Sequence, residues 1–381
     1  MSETKKKYIG ISAFGILHFF TDLLCHYYAF NLVPKVWPYK TFELFLLYNF
    51  IAFALQCPIG YVVDRINSYI YKPVGVGCGV CFMGLGYMLG FGCGFVPIGL
   101  ICCALGNAVI HTVGSRGVME EGKTGLAGGG IFIAFGALGV GLGDYLGMNY
   151  NGKLIVRLLW VVTLITFFIV SAKIKSVHSV VPEVNERAGE RGDLRCLALC
   201  LFAVFVRSFV GFILPNGFNE LIAERSEEAS GAVSAVLKSL PGFAGKAMGG
   251  VIAVLLFGIC KGKDLRKANY IYGTVALSVS TLLLFFFGNT VVGGLIGILL
   301  FHSVMPVTLY EIYCILPAYP GFSLGLTTLM LFAGMLPIVA FYIPGNVERM
   351  LLLILGLLGA AALMLALRIY LKDKKKEGRY A

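Results

Sequence analysis

Residues 348–371 read ERMLLLILGLLGAAALMLALRIYL, and from Met350 to Leu367 no side chain is charged. A helix rises about 1.5 Å per residue, so some 20 apolar residues cross the hydrocarbon of a bilayer. Residues 267–287, KANYIYGTVALSVSTLLLFFF, meet the same requirement. Strands of a membrane barrel are short and alternate polar with apolar, and neither stretch does. Working outward by hydropathy and breaks, spans are expected near 8–30, 41–63, 72–93, 96–116, 126–148 and 154–173. A second set falls near 194–214, 230–257, 268–287, 290–309, 321–343 and 348–371. The sequence therefore predicts an all-α integral membrane protein with twelve transmembrane helices in two six-helix halves.

Composition excludes a soluble chain. Hydrophobic residues make up 58% of the 381 and charged residues 13%, with a mean hydropathy of +0.84, which no water-facing surface of this size tolerates. The hydrophilic interruption with VPEVNERAGERGDLR at its heart divides the chain into an N-terminal half (1–174), a cytoplasmic linker (175–193) and a C-terminal half (194–381). Basic loops are retained on the cytoplasmic side. With both termini inside, 22 of the 31 lysines and arginines fall in cytoplasmic segments and six in outer loops. Arg207, Lys238 and Lys246 remain within spans.

The net charge of +11 is thus spread over juxtamembrane loops, which points to topology and anionic lipid headgroups rather than to nucleic acid. No cleavable signal is expected at MSETKKK, and a multi-pass cell-membrane location is expected. The 11 cysteines lie mainly in apolar helices, as small core residues do. No HExxH string and no acid-rich metal cluster is visible, and neither an enzyme, a cofactor nor a metal is expected. Forty-nine glycines, dense in spans two to five and eight, allow helix backbones to approach closely.

Ionisable residues inside spans carry the functional signal, because a charge in lipid is costly unless it meets water, a partner or a ligand. His18, Asp22 and His26 recur every fourth residue and stack on one face of the first span. Asp22 beside His18 is a candidate proton carrier; the alternative is a static buried pair with Arg116 or Arg207. His26 reads as an interfacial residue nearer the outer mouth. His111 suits a polar cavity, and Arg116 suits a cytoplasmic anchor, a gate partner of Asp64 or a substrate contact. Arg207 lies deep in CLFAVFVRSFVGFIL, too far from either end to snorkel.

Lys238 and Lys246 are eight apart, roughly 80° around a helix, and Pro241-Gly242 between them is a place to break or kink it. No intramembrane acid in the second half offsets Arg207, Lys238 and Lys246. An anionic solute would supply the missing charge, with arginine gripping it through two parallel hydrogen bonds. His302 and Glu311 are weaker candidates.

Gly60-Tyr61-Val62-Val63-Asp64-Arg65, at the end of the second span, resembles the GxxxDR signature of the major facilitator superfamily. That resemblance implies a glycine for close helix contact and an acid and base, Asp64 and Arg65, in a gating charge network. Within the superfamily the first half is most similar to the fosmidomycin resistance proteins, proton-coupled drug exporters. The shared features are His18-Phe19-Phe20-Thr21-Asp22, Gly106 to His111 followed by Arg116, and the glycine-rich Gly139-Val140-Gly141-Leu142-Gly143. Thr112 and Asp144 stand where prolines are usual. The resemblance implies alternating access of the two halves around a central site. Protons would couple through Asp22 and His18, and substrate would touch Arg207, Lys238, His111, His18 and Lys246. An uncoupled uptake transporter of the same fold and a non-transporting receptor or membrane enzyme remain the alternatives.

Overall fold

The computed structural model describes residues 3–67, 70–120, 125–150, scattered positions from 158 to 167, 194–213, 231–260 and 264–376. It is a multi-pass, all-α membrane protein. In hydrocarbon every backbone N–H and C=O must find its partner within the segment, and a helix does this without neighbours. Eleven spans are long and apolar enough to cross a bilayer among the described residues. Of the sixth expected span, Leu158, Trp160, Val161, Thr163, Leu164, Ile165 and Phe167 are described, each helical. The expected linker 175–193 lies outside the described residues.

The helices are α1 (Glu3–Val36), α2 (Thr41–Asn49), α3 (Gln56–Val63), α4 (Tyr71–Tyr87), α5 (Val96–Met119) and α6 (Gly125–Asn149). They are followed by α7 (Leu194–Ile213), α8 (Gly231–Ile259), α9 (Leu265–Phe287), α10 (Val291–Ser303), α11 (Met305–Ile315), α12 (Pro320–Ala340) and α13 (Gly345–Lys376). A π-helical turn, Phe50–Ala54, joins α2 to α3 inside one span, and another, Met88–Gly92, ends the third. Such wide turns often mark functional places in a helix.

Two compact units emerge: residues 1–183 with 319–329, and residues 184–318 with 330–381. In the first, α1 lies along α6 and α5, and α4 lies along α5. Glycine sets these approaches. A Cβ on Gly86 would stand 2.6 Å from the Gly99 carbonyl oxygen, and one on Gly143 2.6 Å from that of Leu23. In the second unit, α13 packs on α7 and α9, and α10 packs on α8 and α9, around Val204, Tyr270, Leu277, Phe301 and Leu363. Asp264 ties two of these helices together. Its carboxylate accepts the Lys267 amide at 3.1 Å as the cap of α9, and also Tyr370 Oη at 2.9 Å and Lys374 Nζ at 2.7 Å from α13.

One expectation is revised and another narrowed. The span expected over 290–309 runs to Ile315 and is interrupted at Val304. Pro306 causes the break, since it has no N–H for the carbonyl four residues back, that of His302. By contrast α8 is helical throughout from Gly231 to Ile259, with Pro241 and Gly242 inside it.

Candidate functional site

The first cluster is built by α1, α5 and α6. On α1, His18 and Asp22 are one turn apart; on α5, Asn107 and His111 are one turn apart, so each helix presents two polar groups on a single face. The four side chains are between 3% and 8% exposed. His18 Nε2 lies 2.6 Å from His111 Nε2 and 3.0 Å from Asp22 Oδ2. His111 Nε2 lies 3.4 Å from Asp22 Oδ1, which also accepts from Asn107 Nδ2 at 2.9 Å. Phe132 stacks on the His18 ring, and Gly136 leaves the space the ring fills, since a Cβ there would run into it.

The outer nitrogens of the two rings determine what the inner ones do. His18 Nδ1 is 2.8 Å from the Phe132 carbonyl oxygen and His111 Nδ1 is 2.9 Å from that of Asn107. A carbonyl only accepts, so both Nδ1 atoms carry hydrogen and donate. In neutral rings both Nε2 atoms would then bear lone pairs, facing each other and a carboxylate. Three acceptors converge with one donor, Asn107 Nδ2, among them. The arrangement is relieved by a cation at its centre, and one proton on either Nε2 turns the facing lone pairs into an N–H···N bond beside a neutralised Asp22.

The alternative of a static pair between Asp22 and Arg116 is not what forms. Arg116 Nε gives its hydrogen bond to Glu120 Oε1 at 2.6 Å, and Arg116 Nη1 donates to the carbonyls of Val63 and Ile66. Its guanidinium also lies 3.8 Å over the Tyr71 ring, whose hydroxyl donates to Glu120 Oε2 at 2.6 Å. Arg116 therefore braces the turn after α3, in which Asp64 stands. His26 is likewise more than an interfacial residue. Its Nδ1 is 2.7 Å from Asp144 Oδ1 on α6, so the acid standing where proline is usual makes a second histidine–carboxylate pair between α1 and α6.

The GxxxDR residues form a contact with the first turn of α12, within the same unit. Asp64 Oδ1 accepts the Gly321 amide at 2.9 Å and Oδ2 accepts the Phe322 amide at 2.8 Å, so the carboxylate caps a helix N-terminus, where orphan N–H groups and the dipole favour a negative charge. Gly60 makes the approach possible, because a Cβ there would collide with the Gly321 carbonyl. The Arg65 guanidinium lies 3.4 Å over the Tyr61 ring and 5.8 Å from that of Tyr319. Asp64 lies beyond the end of its span and is half-buried, and burial raises its carboxyl from 3.8 to about 6 against the lowering effect of the two amides.

In the second unit Arg207, on α7, is 3% exposed, and its Nε and Nη2 have no hydrogen-bond partner among the described residues. His302 Nδ1, on α10, has none either. The His302 ring occupies a floor of glycines, within 3.5 Å of a Cβ placed on Gly242 and 3.7 Å of one on Gly211. Arg207 and Lys246 are near enough for their charges to act on that ring. Lys238 lies in α8, but its side chain is outside the described residues. Glu311, fully buried, is committed elsewhere: Arg266 Nε donates to it at 2.9 Å and Asn269 Nδ2 at 2.8 Å.

Sequence reading missed Asn107 as a site residue and placed His302 among the weaker candidates. The signal for Asn107 was its spacing of four from His111 on one apolar helix. For His302 it was the proline four residues on, which opens the helix beside it.

No protein-family model matches the sequence, and no curated protein does. Solved structures do match. A major facilitator superfamily transporter, FucP, in the outward conformation aligns with a TM-score of 0.66 at 11% identity over 96% of this chain and 99% of that one. A variant of the E. coli fucose:proton symporter FucP aligns with a TM-score of 0.65 at 12% identity, over the same shares. The fold is thus that of major facilitator transporters.

Proposed function

We propose that the protein is a secondary transporter that moves a small anionic organic solute across the cell membrane by alternating access, driven by protons. The observation that carries the reading is Arg207. A guanidinium sunk in a membrane-spanning helix with two nitrogens unmatched by any described acceptor is expensive, and an anion with two oxygens offsets the cost through a charge-assisted fork. Arg207 is the anchor of the solute, with His302 and Lys246 around it and Lys238 on the same helix as Lys246. The transporter fold supports translocation rather than static binding.

Proton coupling belongs to His18, Asp22 and His111. With a proton at their centre the carboxylate is balanced; without it a buried negative charge remains in an apolar surround. A cluster whose cost differs so much between its two states gives alternating access something to act on. The first-half motifs similar to fosmidomycin resistance exporters include His18, Asp22 and His111, and one structural neighbour is a proton symporter. Gly60, Asp64, Arg65 and Arg116 form the gate, at the cytoplasmic side if both termini face the cytoplasm as the basic loops indicate.

The test is a thermal-shift screen of purified protein against small organic anions and matched neutral and cationic compounds. Stabilisation by anions that disappears in Arg207→Gln, a variant that still folds, is the expected result. Stabilisation by cations alone overturns the reading.

A further inference from the structure

We infer that His18, Asp22 and His111 form a binding site for a divalent transition-metal ion of the zinc class. The three offer one ligand atom each, all within 4.8 Å of one another. The donor set, two imidazole nitrogens and a carboxylate oxygen, is one that zinc and its neighbours in the first row take, whereas magnesium and calcium take oxygen. It leaves a fourth position open. This inference uses the side chains of the proposed proton carrier but does not depend on protons driving transport.

Three features separate the cluster from a chance meeting of polar groups. Both ligand rings are held by their outer nitrogens on backbone carbonyls, Phe132 and Asn107, which turns both Nε2 lone pairs inward; metal-bound histidines are held this way by their second shell. Asp22 is oriented by Asn107, so the carboxylate too is fixed by a group that does not itself compete for the ion. The spacing is close to what a shared ion needs. Two ligand atoms each about 2.0–2.1 Å from a tetrahedral zinc stand about 3.3 Å apart. The nitrogen–carboxylate separations are already 3.0 and 3.4 Å, and the two nitrogens, at 2.6 Å, need to part by roughly 0.7 Å for such a geometry.

Cys25, three residues on from Asp22, is buried, and its thiol lies 3.8 Å from the Met83 sulfur and 3.5 Å from the Cys103 carbonyl. Water or a solute oxygen is left to complete the shell.

Cobalt(II) reports this geometry directly, because its visible absorption is several-fold stronger in a four-coordinate site than in water. The full chain is purified in detergent, its exposed cysteines, Cys78, Cys81 and Cys93 among them, are blocked with N-ethylmaleimide, and CoCl2 is titrated in. The expected result is intense visible absorption saturating at one ion per chain, bleached by added ZnCl2, and weakened more than tenfold in affinity by His111→Ala. A second variant, His111→Cys, is kept free of N-ethylmaleimide, which would alkylate the new thiol, and is compared with the unaltered protein kept free of it too; it answers the objection that the alanine protein has misfolded. It keeps three ligands and adds a near-ultraviolet thiolate-to-cobalt band. Absorption no stronger than that of aqueous cobalt, or a site that survives in His111→Ala and shows no thiolate band in His111→Cys, overturns the inference. Proton-driven flux is measured separately: cobalt binding with flux indifferent to a pH gradient leaves the metal site standing and removes the proton reading, and the reverse outcome removes the metal site alone.

Discussion

The two buried polar clusters are chemical opposites. In the first unit acceptors converge: two ring nitrogens and a carboxylate, with Asn107 as the single fixed donor. In the second unit the unmatched groups are donors: Nε and Nη2 of Arg207 have no described acceptor, and His302 Nδ1 has no described partner either. The acceptor cluster is completed by something as small as a proton, or by a metal ion. The donor cluster needs an oxyanion. Under the proposed function these are the two seats that a transporter coupling an anion to a cation requires.

The sharpest way to break the contrast is Arg207→Gln. Removing one member of a buried charge-assisted pair costs about 2–5 kcal/mol, so affinity for the anionic solute should fall on the order of a hundredfold, read by calorimetry or radioligand binding. Arg207→Lys keeps the charge but loses the fork and should recover only part of the loss. Unaltered affinity in both would remove the donor cluster from the transport path.

Next in size is Asp22→Asn. The amide cannot balance a proton on the histidines, so solute accumulation driven by a pH gradient in proteoliposomes should drop at least tenfold while exchange of labelled for unlabelled solute persists. Full accumulation in that variant would take the coupling role away from Asp22. A smaller effect belongs to Gly136→Ala, whose methyl displaces the His18 ring without touching its chemistry. Overpacking of this kind costs about 1–3 kcal/mol, so a lower unfolding temperature and a several-fold loss of gradient-driven flux are expected, with anion binding at Arg207 unchanged. Equal loss of both activities would mean that the two clusters are not separable.

The smallest effect sharpens the gate. Burial raises Asp64 to about 6 from its usual 3.8, so relative to an unfolded carboxylate its contribution to stability is present below about pH 4 and is lost as pH rises through about 6. Asp64→Asn lacks that loss. The unfolding temperature of the variant minus that of the unaltered protein should therefore rise between pH 4 and pH 7, by on the order of 1–2 °C once the partial exposure of the group is discounted. A difference that falls with pH would mean that the Gly321 and Phe322 amides, not burial, dominate at Asp64.

The membrane helices were legible because hydrocarbon imposes one rule on every backbone group, and a run such as Met350–Leu367 satisfies it in only one way. Helix ends were less legible. The break at Val304 follows from Pro306, yet Pro241 sits within a continuous α8, so proline alone does not announce its outcome. Of the site, the turn spacing of His18 and Asp22 was visible in the chain, as was the isolation of Arg207 among apolar neighbours. The pairing of Asp144 with His26 was not, because the two are 118 positions apart and only the glycine-lined seam of α1 against α6 joins them.

What the chain determined by itself is periodicity and hydropathy: which segments cross the bilayer, and which polar residues share one face of one helix. Partners across helices were decided only in the tertiary structure. Asp22 could have faced an arginine; besides His18 on its own helix it meets His111 because α5 lies against α1 in the register that puts Asn107 and His111 level with it. Register between helices is set by small residues at close approaches and by the shapes opposite them, and such fit is a property of two surfaces together, written in neither strip of sequence alone.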